Sequence, residues 1–264
     1  MKSRVGEVPD PMTLALLALA ALGAGFVDAV VGGGGLIQLP ALVLGLPGAS
    51  PVQILATNKL GSICGTSVSS VTYYRRVRPH AGTFVPLMAF AFLGSLGGAL
   101  LAAHLPKDAF EPIVLVVLVA VGAYVLLRPE LGTRTQLRFS GHRHTAAAMG
   151  AGLVVGAYDG ALGPGTGSFF VFTLVGLLGY GFLEASAKAR MANWATNLAA
   201  LCVFVPHGAV QWRVGLVLGA ANLAGGYLGV RLAVARGSRF VRALFVVVVG
   251  AFVLRIGGGQ LGLW

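Results

Sequence analysis

Charge is what this chain has least of. Of its 264 residues only 10% are Asp, Glu, Lys or Arg, against about 25% in an ordinary soluble domain. Such a chain is not an ordinary soluble domain, and it reads as a polytopic membrane protein. Cysteine is almost absent too: Cys64 and Cys202 stand in apolar runs without CxxC or histidine spacing, so neither a disulfide framework nor a zinc site is indicated. His80, His104, His142, His144 and His207 fall in loops or at segment ends, and no pair of them has an acid partner at catalytic or metal-binding spacing. There is no Walker loop, no Gly-x-Ser-x-Gly elbow and no His-Glu-x-x-His. No catalytic residues, metal ligands or cofactor are therefore expected, and no enzyme. The net charge of +11 is spread over the ends of apolar runs rather than gathered on one face with aromatics. It reports topology and not a nucleic-acid partner.

What is there is apolar: 56% of the residues are hydrophobic, with a mean hydropathy of +0.85. A hydrocarbon core of roughly 30 Å takes about 20 helical residues. Runs of that length lie near 12–31, 52–74, 80–103 and 110–128, and again near 145–162, 183–205, 210–234 and 239–256. The first run follows two basic residues, as a signal peptide would, but it continues through Val31 and is kept as a membrane segment. Between the first two runs of each set sits a shorter apolar piece, 36–46 or 167–178, which reaches only about 16 to 18 Å as a helix. These pieces either cross a thin or tilted path or are re-entrant.

The two sets repeat each other. "GFVDAVVGGGG" (25–35) aligns with "GAYDGALGPGTG" (156–167), matching Gly25 with Gly156, Asp28 with Asp159, Gly32 with Gly163 and Gly34 with Gly165. "ATNKL" then aligns with "SAKAR", matching Lys59 with Lys188, and "GSLGG" (94–98) with "GYLGV" (226–230). The chain thus divides into a first membrane repeat at 1–130, a basic cytoplasmic connector at 131–144 and a second repeat at 145–264. Loops rich in Lys and Arg stay cytoplasmic. Arg75, Arg76 and Arg78 make one such loop in the first half, whereas its counterpart "PHGAVQW" has no Lys or Arg. The loop 104–109 holds only Lys107, whereas its counterpart carries Arg236, Arg239 and Arg242. The bias swaps sides, which is the pattern of inverted-topology repeats with an odd number of crossings in each half. The fold expected is all-α, with eight to ten membrane segments and glycine-broken helices.

Backbone leaves a helix at membrane depth only where protein or a watery cavity satisfies it. Gly32, Gly33, Gly34 and Gly35, and the second cluster at Gly163, Gly165 and Gly167, mark such breaks, where helix N-termini can offer amides to an anion. GGGG is not a dinucleotide fingerprint, since no strand precedes it. Gly94, Gly98 and Gly226 suit close helix packing. Lys59 and Lys188 lie one helical stretch beyond the breaks, where an ammonium either lines a cavity or snorkels to an interface. Thr57, Asn58, Asn193 and Asn197 add neutral hydrogen-bonding groups. Asp28 and Asp159 are either caps of the helices that follow or proton-coupling groups.

On "GFVDAVVGGGGLIQLP", "ATNKL" and "AKARMANWATN", the chain resembles the TauE/SafE family of bacterial membrane proteins, also called the sulfite exporter or TSUP family, over essentially its whole length. The resemblance implies a secondary transporter of the bacterial inner membrane that moves sulfite, sulfoacetate, thiosulfate or a related sulfur-containing anion. The expected partners are that anion and the bilayer, and glycine-rich faces leave a homodimer open. A passive anion channel, and a cation or metal transporter using Asp28 and Asp159, remain as alternatives.

Overall fold

The computed structural model of the chain describes residues 9–102 and 132–260. Among these residues it is all helix. The helices are α1 (Pro11–Val31), α2 (Gly34–Gly45), α3 (Pro51–Val77), α4 (Ala81–Leu101), α5 (Gly141–Ala161), α6 (Thr166–Gly176), α7 (Phe182–Phe204) and α8 (Trp212–Gln260). Every apolar run within the described residues appears as a helix, and the boundary expected between 234 and 239 is a bend at Gly237 (φ 71°) inside α8. The run at 110–128, the loop holding Lys107 and the residue Arg128 lie outside the described residues.

Local chemistry sets the ends. Asp10 accepts from the backbone N–H groups of Met12 and Thr13, and Pro11 supplies the first helical φ of α1. Ser50 and Gln53 close a capping box on α3. At the other end of α3, Arg75 and Arg76 sit in the last turn, where the helix dipole favours cations.

By length and composition, Pro11–Val31, Ala81–Leu101 and Trp212–Val248 are apolar enough to cross a membrane. Large apolar side chains such as Leu16, Leu19, Leu93, Leu100, Leu216 and Leu228 on these helices face outward. The 27-residue α3 and 23-residue α7 are long enough but more polar, and they bury that polarity. Thr57, Asn58, Lys59 and Thr66 of α3, and Lys188, Arg190, Asn193, Thr196 and Asn197 of α7, are all buried. The outer helices shield these two, so α3 and α7 need not be apolar. The protein is an all-α polytopic membrane protein.

The halves interlock reciprocally: α4 packs along α5, and α1 along α8. Small residues make both contacts possible. A Cβ on Gly94 or Gly98 would strike the carbonyls of Leu153 and Ala157, and one on Gly225 or Gly229 those of Leu22 and Phe26. These contacts repeat at the 131-residue offset that separates Asp28 from Asp159. Gly156 against the Ala91 carbonyl and Gly25 against that of Asn222 follow the same offset. The packing expectation for Gly94, Gly98 and Gly226 holds, Gly226 lying on Gly65 and Ser69 of α3. The match of 94–98 with 226–230, however, is one residue out: Gly94 and Gly98 correspond to Gly225 and Gly229.

These contacts predict a graded response to added side chains. Gly94→Val drives atoms into the Leu153 backbone and should lower the stability of detergent-solubilised protein by at least about 1–3 kcal/mol, the usual range for overpacking. Gly97→Ala, whose Cβ would meet nothing within 4 Å, should leave the unfolding temperature unchanged.

Candidate functional site

Two helix breaks meet at the centre of the fold. The chain leaves α1 at Gly32 (φ 91°) and re-enters helix at Gly34; in the second half it passes through Gly163 (φ 92°) and Gly165 (φ 75°) before α6. Left-handed φ values of this kind favour glycine. Gly32 and Gly167 approach backbone to backbone, so a Cβ on either would overlap the other.

Each break leaves carbonyls without helical partners, and side chains from other helices satisfy them. Ser168 donates through its N–H to the Gly32 carbonyl and through Oγ to Val31, both at 3.0 Å. Ser186 Oγ reaches the Val30 carbonyl at 2.9 Å, and the Tyr73 hydroxyl reaches Ala29 at 3.0 Å. In the second break Thr166 Oγ1 donates to Gly163 and the Tyr158 hydroxyl to Pro164. Gly33 and Gly165, the N-caps of α2 and α6, have no side chain with which to close those helix N-termini.

Two ion pairs cross between the halves at this point. Lys59 Nζ of α3 lies 2.5 Å from Asp159 Oδ2 of α5, both residues 2% exposed. Arg190 Nη1 of α7 lies 2.5 Å from Asp28 Oδ2 of α1. The other oxygen of Asp28 accepts from the Gly34 N–H at 3.3 Å, so Asp28 also caps α2. Asp159 pairs with Lys59 and accepts no backbone N–H bond from α6.

Asp28, Gly32, Gly35, Asn58, Lys59, Asp159, Gly163, Gly165, Gly167, Asn193 and Asn197 line one small cavity together with Ser62 and Thr166. Its volume is about 10 Å³, room for roughly one water. Gly33 and Gly34 lie in the break itself. Thr57 sits outside, its Oγ1 accepting from the Gln211 N–H at 3.1 Å.

Lys188 does not enter the cavity. Its ammonium bonds Glu184 at 2.5 Å and stacks 3.9 Å from the centre of the Tyr180 ring. The residue two positions on, Arg190, occupies the place that corresponds to Lys59, so matching Lys59 with Lys188 is corrected to Lys59 with Arg190. Arg190 is the buried cation beside the breaks that pattern reading missed. It is fully buried; its Nε and Nη2 have no hydrogen-bond partner, and Nη2 lies where a Cβ on Gly167 would sit. The signal was the offset of 131 residues already obeyed by the aspartates and glycines, which carries Lys59 onto Arg190 without a gap.

Comparison with known proteins follows the same outline. The family model described as "Sulfite exporter TauE/SafE" matches residues 17–256. "Probable membrane transporter protein ORF9" of Sinorhizobium is 38% identical over 92% of this chain and 92% of its own length. "Probable membrane transporter protein YfcA" of Escherichia coli K12 is 37% identical over 90% of this chain and 87% of its own. "Probable membrane transporter protein" of Haemophilus influenzae is 33% identical over 89% and 90%. No solved structure matches.

Burial makes the crossed pair testable by a mutant cycle. Lys59→Met strands a buried carboxylate and should destabilise the fold by about 3–5 kcal/mol, while Lys59→Met with Asp159→Leu should recover most of that loss. Lys188→Met, whose partner Glu184 is 30% exposed, should cost about 1 kcal/mol or less. Unfolding of the purified protein in detergent checks all three.

Proposed function

The chain belongs to the sulfite exporter TauE/SafE family and is a membrane transporter of the bacterial inner membrane; we propose that it is a secondary transporter exporting a small sulfur-containing anion such as sulfite or an organosulfonate. The observation that carries this reading is the meeting of two helix N-termini, α2 capped by Asp28 and α6 without a side-chain cap, with two buried cations at the centre of the fold. Each N-terminus contributes roughly half a positive charge and a set of N–H donors. Lys59 adds a point charge. Arg190 adds a planar fork whose Nε and Nη2 are without partners, the geometry suited to two oxygens of one oxyanion.

The cation-transporter alternative has less support. Asp28 and Asp159 each face a cationic side chain already, and the described residues hold no group of three His, Cys, Asp or Glu able to bind a metal. Room for about one water at the centre likewise favours a carrier that opens and closes over a standing pore.

On this reading the closed site is an ion-paired resting arrangement. An anion enters by displacing the Asp159 carboxylate from Lys59 and by taking the unpartnered Nε and Nη2 of Arg190, so its binding is coupled to movement of one half against the other. The swapped loop charges and the reciprocal packing support halves of opposite orientation, the arrangement that alternating access uses.

Two measurements test this reading. Purified protein in liposomes should exchange one of radiolabelled sulfite, sulfoacetate, thiosulfate and sulfate selectively, and folded protein that exchanges none of them would remove the cargo assignment. For the topology, Arg78→Cys and His207→Cys in a background lacking Cys64 and Cys202 should react with an impermeant maleimide from opposite faces of the membrane. Reaction from the same face would mean parallel halves.

A further inference from the structure

We infer that the two crossed ion pairs have different tasks: Asp159 carries a proton with the anion, whereas Asp28 stays ionised and holds the site together. This rests on the anion-transport reading above and deepens it.

The inference begins with charge. The closed centre holds two cations, Lys59 and Arg190, and two anions, Asp28 and Asp159, all paired and buried or nearly so. It is neutral as it stands. A singly charged anion, as protonated sulfite is, leaves one net negative charge in a low-dielectric interior unless a proton comes with it, and a dianion leaves two, of which the proton removes one; such uncompensated burial is strongly disfavoured. One of the two carboxylates is therefore the acceptor.

The partners decide which. Asp28 receives hydrogen bonds from two groups, the Arg190 guanidinium and the Gly34 N–H. Guanidinium does not give up its proton in a protein and its fork is rigid. Asp28 is also the cap of α2, so neutralising it would release a helix end that forms part of the site. Asp159 bonds only to Lys59, whose ammonium sits on a flexible four-carbon stem and can swing to another anion. When the substrate takes Lys59, the Asp159 carboxylate loses its only partner and binds a proton from water, forming the neutral acid. When the substrate leaves, that proton is released and the Lys59–Asp159 pair re-forms.

Among the described residues the surroundings contain no competing group. On α5 itself the neighbour is Tyr158, whose hydroxyl is held by the Pro164 carbonyl, while His144 lies near the other end on Thr83 and Tyr180. α4 and α6, both packed on α5, carry no titratable side chain within their spans. From α3 the facing charge is Lys59; from α7 Arg190 is committed to Asp28, and Lys188 is turned onto Glu184.

The test uses the whole protein in liposomes with the membrane potential clamped at zero, offering radiolabelled sulfite, sulfoacetate and thiosulfate in turn. Counterflow reads anion exchange, and accumulation under a gradient of one pH unit, acid outside, reads proton coupling. One proton per anion supports about tenfold accumulation for that gradient, the factor of ten that one pH unit represents. The wild type should reach it. Asp159→Asn should still exchange the anion but accumulate none above equilibrium. Accumulation by Asp159→Asn equal to wild type overturns the inference, as does exchange without accumulation in Asp28→Asn. If Asp159→Asn fails to insert, Asp159→Glu decides: it should remain coupled with a displaced pH midpoint, and an unmoved midpoint counts against Asp159. Net wild-type uptake down an imposed anion gradient without any proton movement, read by a trapped pH dye, rejects proton coupling while leaving anion transport intact. Absence of counterflow for all three anions fails the transport reading itself and takes this inference with it.

Discussion

A charge buried at membrane depth must have a partner, and here each partner comes from the other half of the chain. Lys59 of the first half answers Asp159 of the second, and Arg190 of the second answers Asp28 of the first. Neither half alone could bury its own aspartate and cation, because each would leave them facing nothing. The crossing therefore ties the fold of each repeat to the presence of the other. It also puts the four charges at the interface between the halves, where relative motion would break or form them.

The same crossing organises the backbone. The glycine breaks are tolerable because the carbonyls they release are taken up by Ser168, Ser186 and Tyr73 on other elements, in part across the halves. Gly32 and Gly167 bring the two breaks into contact, so what would be two isolated defects in two helices becomes one shared polar centre. Around it α3 and α7 carry the polar side chains inward, and the more apolar α1, α4 and α8 present leucines outward. The polarity of α3 and α7 thus follows from the buried side chains they bring to the centre.

Much of this was legible in one sequence. Apolar runs located seven of the eight described helices to within a few residues, and α8 as two runs parted near its Gly237 bend, because an apolar stretch between Pro, Gly and basic loops has little alternative in a bilayer. The glycine breaks and aspartates were equally visible, since an Asp beside clustered glycines interrupts an apolar run twice. Arg190 was not, for a physical reason: in "SAKAR" the lysine resembles Lys59 chemically, and it is that lysine which pairs with Glu184 four residues before it, near the helix start. Side-chain identity misled where spacing would not have, because a helix carries position faithfully across a repeat while its charged residue is free to change from Lys to Arg. The serines that satisfy the broken ends were out of reach as well, since nothing in a single chain says which hydroxyl meets which carbonyl.

The change from Lys to Arg is itself part of a wider asymmetry. In the first half Gln38 of α2 bonds Asn222 of α8 at 2.5 Å and reaches toward the Asn58 carbonyl. At the matching offset stand Phe169 in the second half and Ala91 in the first, both apolar. Ser62 and Thr66 on α3 likewise face Asn193 and Asn197 on α7 as unequal counterparts. A pair of identical half-sites would hold a bound anion equally well from either side and give the two aspartates identical duties. Divergence removes that equivalence. The side with the guanidinium is locked by a second hydrogen bond to Asp28, and the side with the ammonium is left with one exchangeable contact. The two copies thus keep their symmetry in glycine-to-carbonyl packing, where shape alone matters, and lose it at the few positions where side-chain hydrogen bonds differ.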